Sequence, residues 1–435
     1  MNEIFEIAYA AATNRLCLFT GTGFSKEVSG GAAPTWQGLL ETLCDGLPHS
    51  MALKQALFPE EGRSPLSLEE AAQIISLKLA AEEKDIYQEV ASVINKITLS
   101  GKHKNIEAFF QARPFRVVTT NYDKLAEALA AGNSVQSITP GLPIPRSSAN
   151  VKVYHVHGSI DSPKNMVITS EDYFKFLNGD SYFSRKLSTV LHENTVVILG
   201  YSLGDTNLKA IINDYKGFSK SHVVGSNIFF ISKNVVNQNV KDYYSHCYGI
   251  RVLDSLELGA FFEELNKAIP QAEKISGEVL RNIRNAIDNG HPLPDDYLKE
   301  ENSFYEIIAA ISADGLSWNN QTVVEAIGDI IESKTNFTLE WNAWDQYVHL
   351  ARWIIYLGRI FELQGTTIKD KYLEAVLRSM TTMSKDNLSG YSWNAYKSWD
   401  EHWSSINVSN RILIKKYIIE ETNWHDALSI VNSLD

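Results

Sequence analysis

Cysteine is scarce in this chain: 435 residues hold three, Cys17, Cys44 and Cys247. They lie far apart with no close pair, which excludes a four-cysteine zinc site, argues against a disulfide framework and leaves them as reduced packing residues. Long apolar runs are also missing. None approaches the ~20 residues needed to span a bilayer, and Met1-Asn2-Glu3 carries no positive leader, so a cytoplasmic protein is expected. Basic charge is in deficit, 40 Lys and Arg against 52 Asp and Glu, for a formal charge of -12 and a pI near 5.5. That balance disfavours a whole-protein electrostatic grip on nucleic acid. There is no internal repeat and no low-complexity tract. The length divides most naturally into two or three domains.

What is present starts with Leu16-Cys17-Leu18-Phe19-Thr20-Gly21-Thr22-Gly23-Phe24-Ser25, an apolar run ending in small residues. It reads as a buried parallel strand opening into a nucleotide-binding turn, where closely spaced glycines let the backbone approach a pyrophosphate. A dinucleotide fingerprint wants a third glycine where Lys26 stands, and Glu41 sits inside a helical pattern, so this is not the dehydrogenase motif. A plain strand with a generic Gly turn reads the same residues equally well. A loop is expected from Lys26 to Pro34 and a helix from about Thr35, with Trp36 in its core face. Further helices are expected over 67–80, 84–97 and 105–112.

Three later strands also end in polar residues. Phe115 to Thr120 runs into Asn121-Tyr122-Asp123; Val151 to Val156 runs into His157-Gly158-Ser159; Thr195 to Leu199 runs into Gly200-Tyr201-Ser202. In open α/β sheets ligands bind beyond the carboxyl ends of the strands, which is where Asn121, Asp123 and His157 would project. Asn121 or Asp123 would serve as well to cap a helix over 124–131, and a single histidine such as His157 is more often structural. His155, within its strand, reads as packing. Asp205 reads as the cap of a helix running to Tyr215. With Ile228–Ile231 and Ile250–Leu253, at least six strands alternate with helices. The expected fold is α/β: a doubly wound, mostly parallel, Rossmann-like sheet over residues 1–270. From Pro270 no strand pattern remains, Pro292 and Pro294 mark a break, and helical stretches run to the end. An all-α C-terminal domain is expected over 275–435. Of the nine tryptophans only Trp36 precedes it. Such aromatic density suits a core and a protein interface about equally.

The four polar strand ends, in this order and spacing, resemble the sirtuin fold, and more closely the sirtuin-like NAD⁺ hydrolases of bacterial antiphage defence. The resemblance covers residues 15 to about 260. It implies cleavage of NAD⁺ to nicotinamide and ADP-ribose, with depletion of NAD⁺ in abortive infection as the role. Asn121 would hold the ribose hydroxyls or the attacking water, His157 would accept a proton, and Asp123 would orient Asn121 or touch the ribose. Gly21, Thr22, Gly23 and Ser25 would hold the pyrophosphate, and Gly200, Tyr201 and Ser202 the adenosine side. NAD⁺ is then the substrate, and no metal is called for. Deacetylating sirtuins carry a Gly-Ile-Pro-Asp-Phe-Arg segment and a four-cysteine zinc module. Here Gly30-Gly31-Ala32-Ala33-Pro34-Thr35-Trp36 stands in place of the first, and Ile160 to Asn194 contains no cysteine, so water is favoured as acceptor. The resemblance further implies a homo-oligomer and an activating partner, such as a HerA-type ATPase, an Argonaute-like protein or a phage component, engaged through residues 275–435. A non-catalytic sensor of NAD⁺ or an ADP-ribose-like signal, and a protein ADP-ribosyltransferase, are the rival readings.

Overall fold

The computed structural model describes residues 2–59, 66–144, 146, 148–178, 182–202, 228–314, 316, 320–386 and 388–433. Seven strands form one sheet: β1 (Leu16–Thr20), β2 (Phe115–Thr119), β3 (Val135–Ile138), β4 (Val151–His155), β5 (Thr195–Leu199), β6 (Ile228–Ile231) and β7 (Ile250–Leu253). Their order is β3-β4-β2-β1-β5-β6-β7, and every pairing is parallel. The chain therefore winds outward from β1 in one direction, then returns to β1's other edge at β5 and winds the opposite way. A crevice opens at such a reversal, beyond the carboxyl ends of β1 and β5.

β1 and β5 are buried along their whole length, as expected of central strands covered on both faces. On β1, Leu16 and Leu18 enter the core on one face, while Cys17 and Phe19 enter the core on the other. Burial pushes the Cys17 thiol up to about 12, so it is an unreactive packing group. β3 escaped the sequence reading because it is a four-residue edge strand, Val-Gln-Ser-Ile, with no apolar run.

Helices α1 (Asn2–Ala12) and α2 (Thr22–Val28) flank β1. The loop expected from Lys26 begins only after Val28, because Phe24, Ser25 and Val28 bury one side of a short helix that starts straight from the Gly turn. Next come α3 (Trp36–Asp45), α4 (Ser50–Leu57), α5 (Leu68–Ala81) and α6 (Ile86–Ile94). Thr35 caps α3 by accepting from Gly38 N, and Ser67 with Glu70 makes a capping box on α5. These helices share a core of their own with Tyr122, Met166 and Ile168. They stand as a separate layer over the carboxyl end of the sheet. α7 (Lys104–Ala112), α8 (Leu125–Leu129), α9 (Ser170–Asn178) and α10 (Tyr182–Glu193) complete the flanking elements up to β5. The cap expected of Asp205, and its helix, lie outside the described residues.

After β7 one helix, Leu258–Asn289, runs through Pro270 and leads into an all-helical region. α1 packs against this helix and against Ser303–Asp314. The sheet's outer face, α1 and the C-terminal helices share one continuous core, which takes in Trp353, Trp399 and Trp403. Trp341 and Trp344, by contrast, are exposed, Trp341 at 95%.

Candidate active site

A cleft of about 770 Å³ lies between the sheet's carboxyl end and the α3–α6 layer. Its floor is made by the turns after β1 and β5. Gly21 N donates to Leu199 O at 2.9 Å, and Gly23 N donates to Gly200 O at 2.8 Å. These two N–H groups, expected to hold a pyrophosphate, are therefore taken up in joining the turns. What the glycines supply is proximity: a Cβ on Gly21 would meet the Tyr201 ring at 2.6 Å, and one on Gly23 would meet Gly200 O at 2.8 Å. From the first turn, Thr22 and Ser25 line the cleft, and from the second, Gly200, Tyr201 and Ser202. Tyr201 stacks on Phe19 at 5.3 Å, and its hydroxyl lies 2.6 Å from Thr120 Oγ1.

Asn121, Asp123 and His157 also line the cleft. Ser25, buried beneath it, gives its proton to Asp123 Oδ2 at 2.7 Å and accepts from Asn121 Nδ2 at 2.7 Å. Asn121 Nδ2 donates to Gly21 O as well, at 2.8 Å. Both partners can only accept from the amide nitrogen, so the network fixes which way the side chain faces. The backbone of Asn121 is tied too, its N donating to Thr119 Oγ1 at 3.1 Å and its O lying 3.1 Å from His155 Nδ1. Among the described residues, Oδ1 is the one polar atom of Asn121 left without a partner. Asp123 Oδ1 accepts from Leu125 N at 3.0 Å, so this carboxylate both caps α8 and, through Ser25, orients Asn121. Burial raises its pKa against the pull of Ser25, Leu125 N–H and His155.

His157 is 3% exposed and sits edge-on to Tyr173 and Phe176, with ring centroids 5.3 and 5.0 Å away. Burial lowers its pKa to about 4, which keeps the ring neutral and able to take a proton at physiological pH. Gly158 follows at φ +85°, and a Cβ there would meet Asn165 O at 2.7 Å, so the turn that ends β4 at the cleft needs glycine.

Residues 116–253 match a family model described as a SIR2-like domain. The chain contains a SIR2-like domain. The match begins in β2 and ends at β7, leaving the Gly21 turn outside it. Over 150 residues the chain is 23% identical to "Defense-associated sirtuin 2" of Bacillus subtilis, covering 33% of this chain and 15% of that protein. It is 35% identical over 104 residues to "NAD(+) hydrolase ThsA" of Enterococcus faecium, 22% of each chain. To the protein of the same name in Cytobacillus dafuensis it is 23% identical over 216 residues, 48% of this chain and 40% of that one. The chain thus spans less than half the length of these curated relatives.

Sequence reasoning missed several residues in and beneath the cleft. Trp36, assigned to core, does pack against the α3–α6 core but also lines the cleft, edge-on to Tyr122 at 6.1 Å, and its buried Nε1 has no hydrogen-bond partner among the described residues. Tyr173 lines it opposite His157. His155 is buried as predicted, but it is polar and bonded rather than packing. Its Nε2 lies 2.8 Å from Glu127 Oε1. The signal available was a histidine in a strand followed two residues later by another at the strand's end.

Proposed function

We propose that the chain is an NAD⁺ glycohydrolase that cleaves NAD⁺ to nicotinamide and ADP-ribose, acting as a depleting effector in antiphage defence. The observation that carries this is Asn121, held on every polar atom except Oδ1 among the described residues, in one cleft with the buried His157. The names of the relatives support the substrate. In NAD⁺ the bond from ribose to nicotinamide carries a cationic leaving group that departs neutral, so the leaving side needs little acid help. Asn121 Oδ1 would accept from a ribose hydroxyl or the attacking water, and His157 would take the proton released as water adds to the ribose carbon. Thr22 offers its hydroxyl to the pyrophosphate, Gly200, Tyr201 and Ser202 flank the adenosine side, and Ser25 and Asp123 act by orienting Asn121.

Incubating the purified chain with NAD⁺ tests the reading. Hydrolysis releases free nicotinamide and ADP-ribose in equal amounts. Label transferred to protein, or binding with no turnover, overturns it in favour of ADP-ribosylation or sensing. Acetyl-lysine peptides should yield neither free lysine peptide nor O-acetyl-ADP-ribose, since residues 160–194 hold no cysteine for a zinc module and Gly30-Gly31-Ala32-Ala33-Pro34-Thr35-Trp36 stands where deacetylases seat an acylated lysine.

An unrestrained hydrolase of this kind would drain its own host. We place its control in residues 275–435, as contacts to further copies of the chain or to an activating protein. Exposed Leu339, Trp341 and Trp344, close together between the helices Gln321–Phe337 and Asp345–Ile360, support such contacts. Light scattering paired with the NAD⁺ assay, with and without a candidate partner, tests this. A monomer fully active alone is the result against it.

A further inference from the structure

Against the backbone of Asn121 lies a chain of charges that runs from the buried His155 out to the surface and plays no part in the steps above. The His155 ring is fully buried. Its Nδ1 is 3.1 Å from the carbonyl oxygen of Asn121, and its Nε2 is 2.8 Å from Glu127 Oε1. A carbonyl can only accept, so Nδ1 carries a proton. Glu127 Oε1 also takes the Lys124 ammonium at 2.6 Å, so it too is an acceptor and Nε2 carries a proton as well. The hydrogen bonding therefore calls for the doubly protonated imidazolium. Lys124 Nζ lies 2.6 Å from Glu127 Oε1 and 2.6 Å from Asp161 Oδ2. The charged groups around His155 are thus Glu127 and Lys124 at α8, Asp161 beyond β4, and Asp123, whose carboxylate feels the charge of His155.

Glu127 is an odd choice if stability alone were served. Its Oε2 is buried with no partner among the described residues, while Oε1 takes both cations. A carboxylate with one bare buried oxygen costs stability that an apolar pair would not.

We propose that His155 and Glu127 are positioning residues for the cleavage step: the imidazolium, held charged by Glu127, clamps the carbonyl of Asn121 and so fixes Oδ1 toward the cleft. This rests on the reading of Asn121 given above. Breaking a hydrogen bond of charged character costs about ten- to a hundredfold in an equilibrium or rate.

The test compares full-length wild type, Glu127→Gln, His155→Gln and Asn121→Ala. In Glu127→Gln, kcat should fall about ten- to a hundredfold with KM for NAD⁺ little changed, because the ring has lost its counter-ion. His155→Gln, which can still donate to the carbonyl but carries no charge, should show the same fall in kcat with KM little changed. Nitrogen NMR of wild type at neutral pH should show both His155 ring nitrogens protonated. This readout needs no activity and stands even where a variant fails to fold. A neutral ring overturns the proposal, as does wild-type kcat in Glu127→Gln while Asn121→Ala is inactive. Full activity in Asn121→Ala instead removes the reading on which the proposal rests.

Discussion

At the scale of single residues, the cleft holds one amide oxygen with no partner among the described residues and one buried imidazole. Asn121→Ala removes the amide whose Oδ1 is free among the described residues, and His157→Gln removes the proposed base while filling its space. General acid–base help is worth ~10²–10⁴-fold, so either change should cut NAD⁺ turnover by at least ~100-fold while circular dichroism stays unchanged. The low pKa of His157 adds a pH signature. With a folded value of about 4 against an ordinary 6.5, the ring stays neutral in the fold over a window where the unfolded chain takes up a proton. The unfolded state then binds more protons, so stability is lost as pH falls from 6.5 toward 4, by up to roughly 3 kcal/mol. The acid limb of kcat/KM should accordingly lie near 4. A limb at 6.5, or acid stability unaltered in His157→Gln, would contradict this.

At the scale of elements, the site depends on two turns meeting. Gly200 has φ +72°, and a Cβ on it would come within 2.0 Å of Phe24 N, the backbone of the other turn. Gly200→Ala should therefore part the turns, lowering stability by several kcal/mol and abolishing activity together. Gly277, inside the helix Leu258–Asn289 with nothing within 4 Å of an added Cβ, is the control. Gly277→Ala should stabilise by ~0.5–1 kcal/mol and leave activity alone, as thermal melts would show. These elements also mark how far sequence reading reaches. Apolar runs that stop at Gly21, Asn121, His157 and Gly200 announce strands and their ligand-facing ends, because burial on both faces writes a continuous pattern. The edge strand β3 writes none. Nor could sequence reveal that the N–H groups of Gly21 and Gly23 are spent on the β5 turn, or that Ser25 links Asn121 to Asp123. Those pairings join residues about 100 to 180 positions apart and exist only once β1, β2 and β5 lie side by side.

At the scale of the whole molecule, the sheet and the helical region are tied by a buried knot at the first helix. Glu6, 6% exposed, takes both terminal nitrogens of Arg251 on β7, at 2.8 and 2.5 Å, and accepts from Tyr356 in the helix Asp345–Ile360. Arg251 also lies over the Phe229 ring at 4.2 Å, and Glu3 pairs with Arg359 one turn away. One carboxylate on α1 thus holds a sheet strand and a C-terminal helix at once. Because apolar side chains of both regions belong to one core, neither can open without stripping the other. Unfolding should then be a single cooperative transition, with far-ultraviolet circular dichroism and tryptophan fluorescence coincident. Tryptophan suits the purpose, since eight of the nine lie after Pro270 while the strands lie before it. Glu6→Ala leaves Arg251 buried without its counter-ion, which typically costs ~3–5 kcal/mol, and should lower the midpoint of both probes together. Two separated transitions in wild type, or a Glu6→Ala midpoint that shifts for one probe alone, would mean that the regions fold independently. Control of the cleft from residues 275–435 would then need some path other than α1.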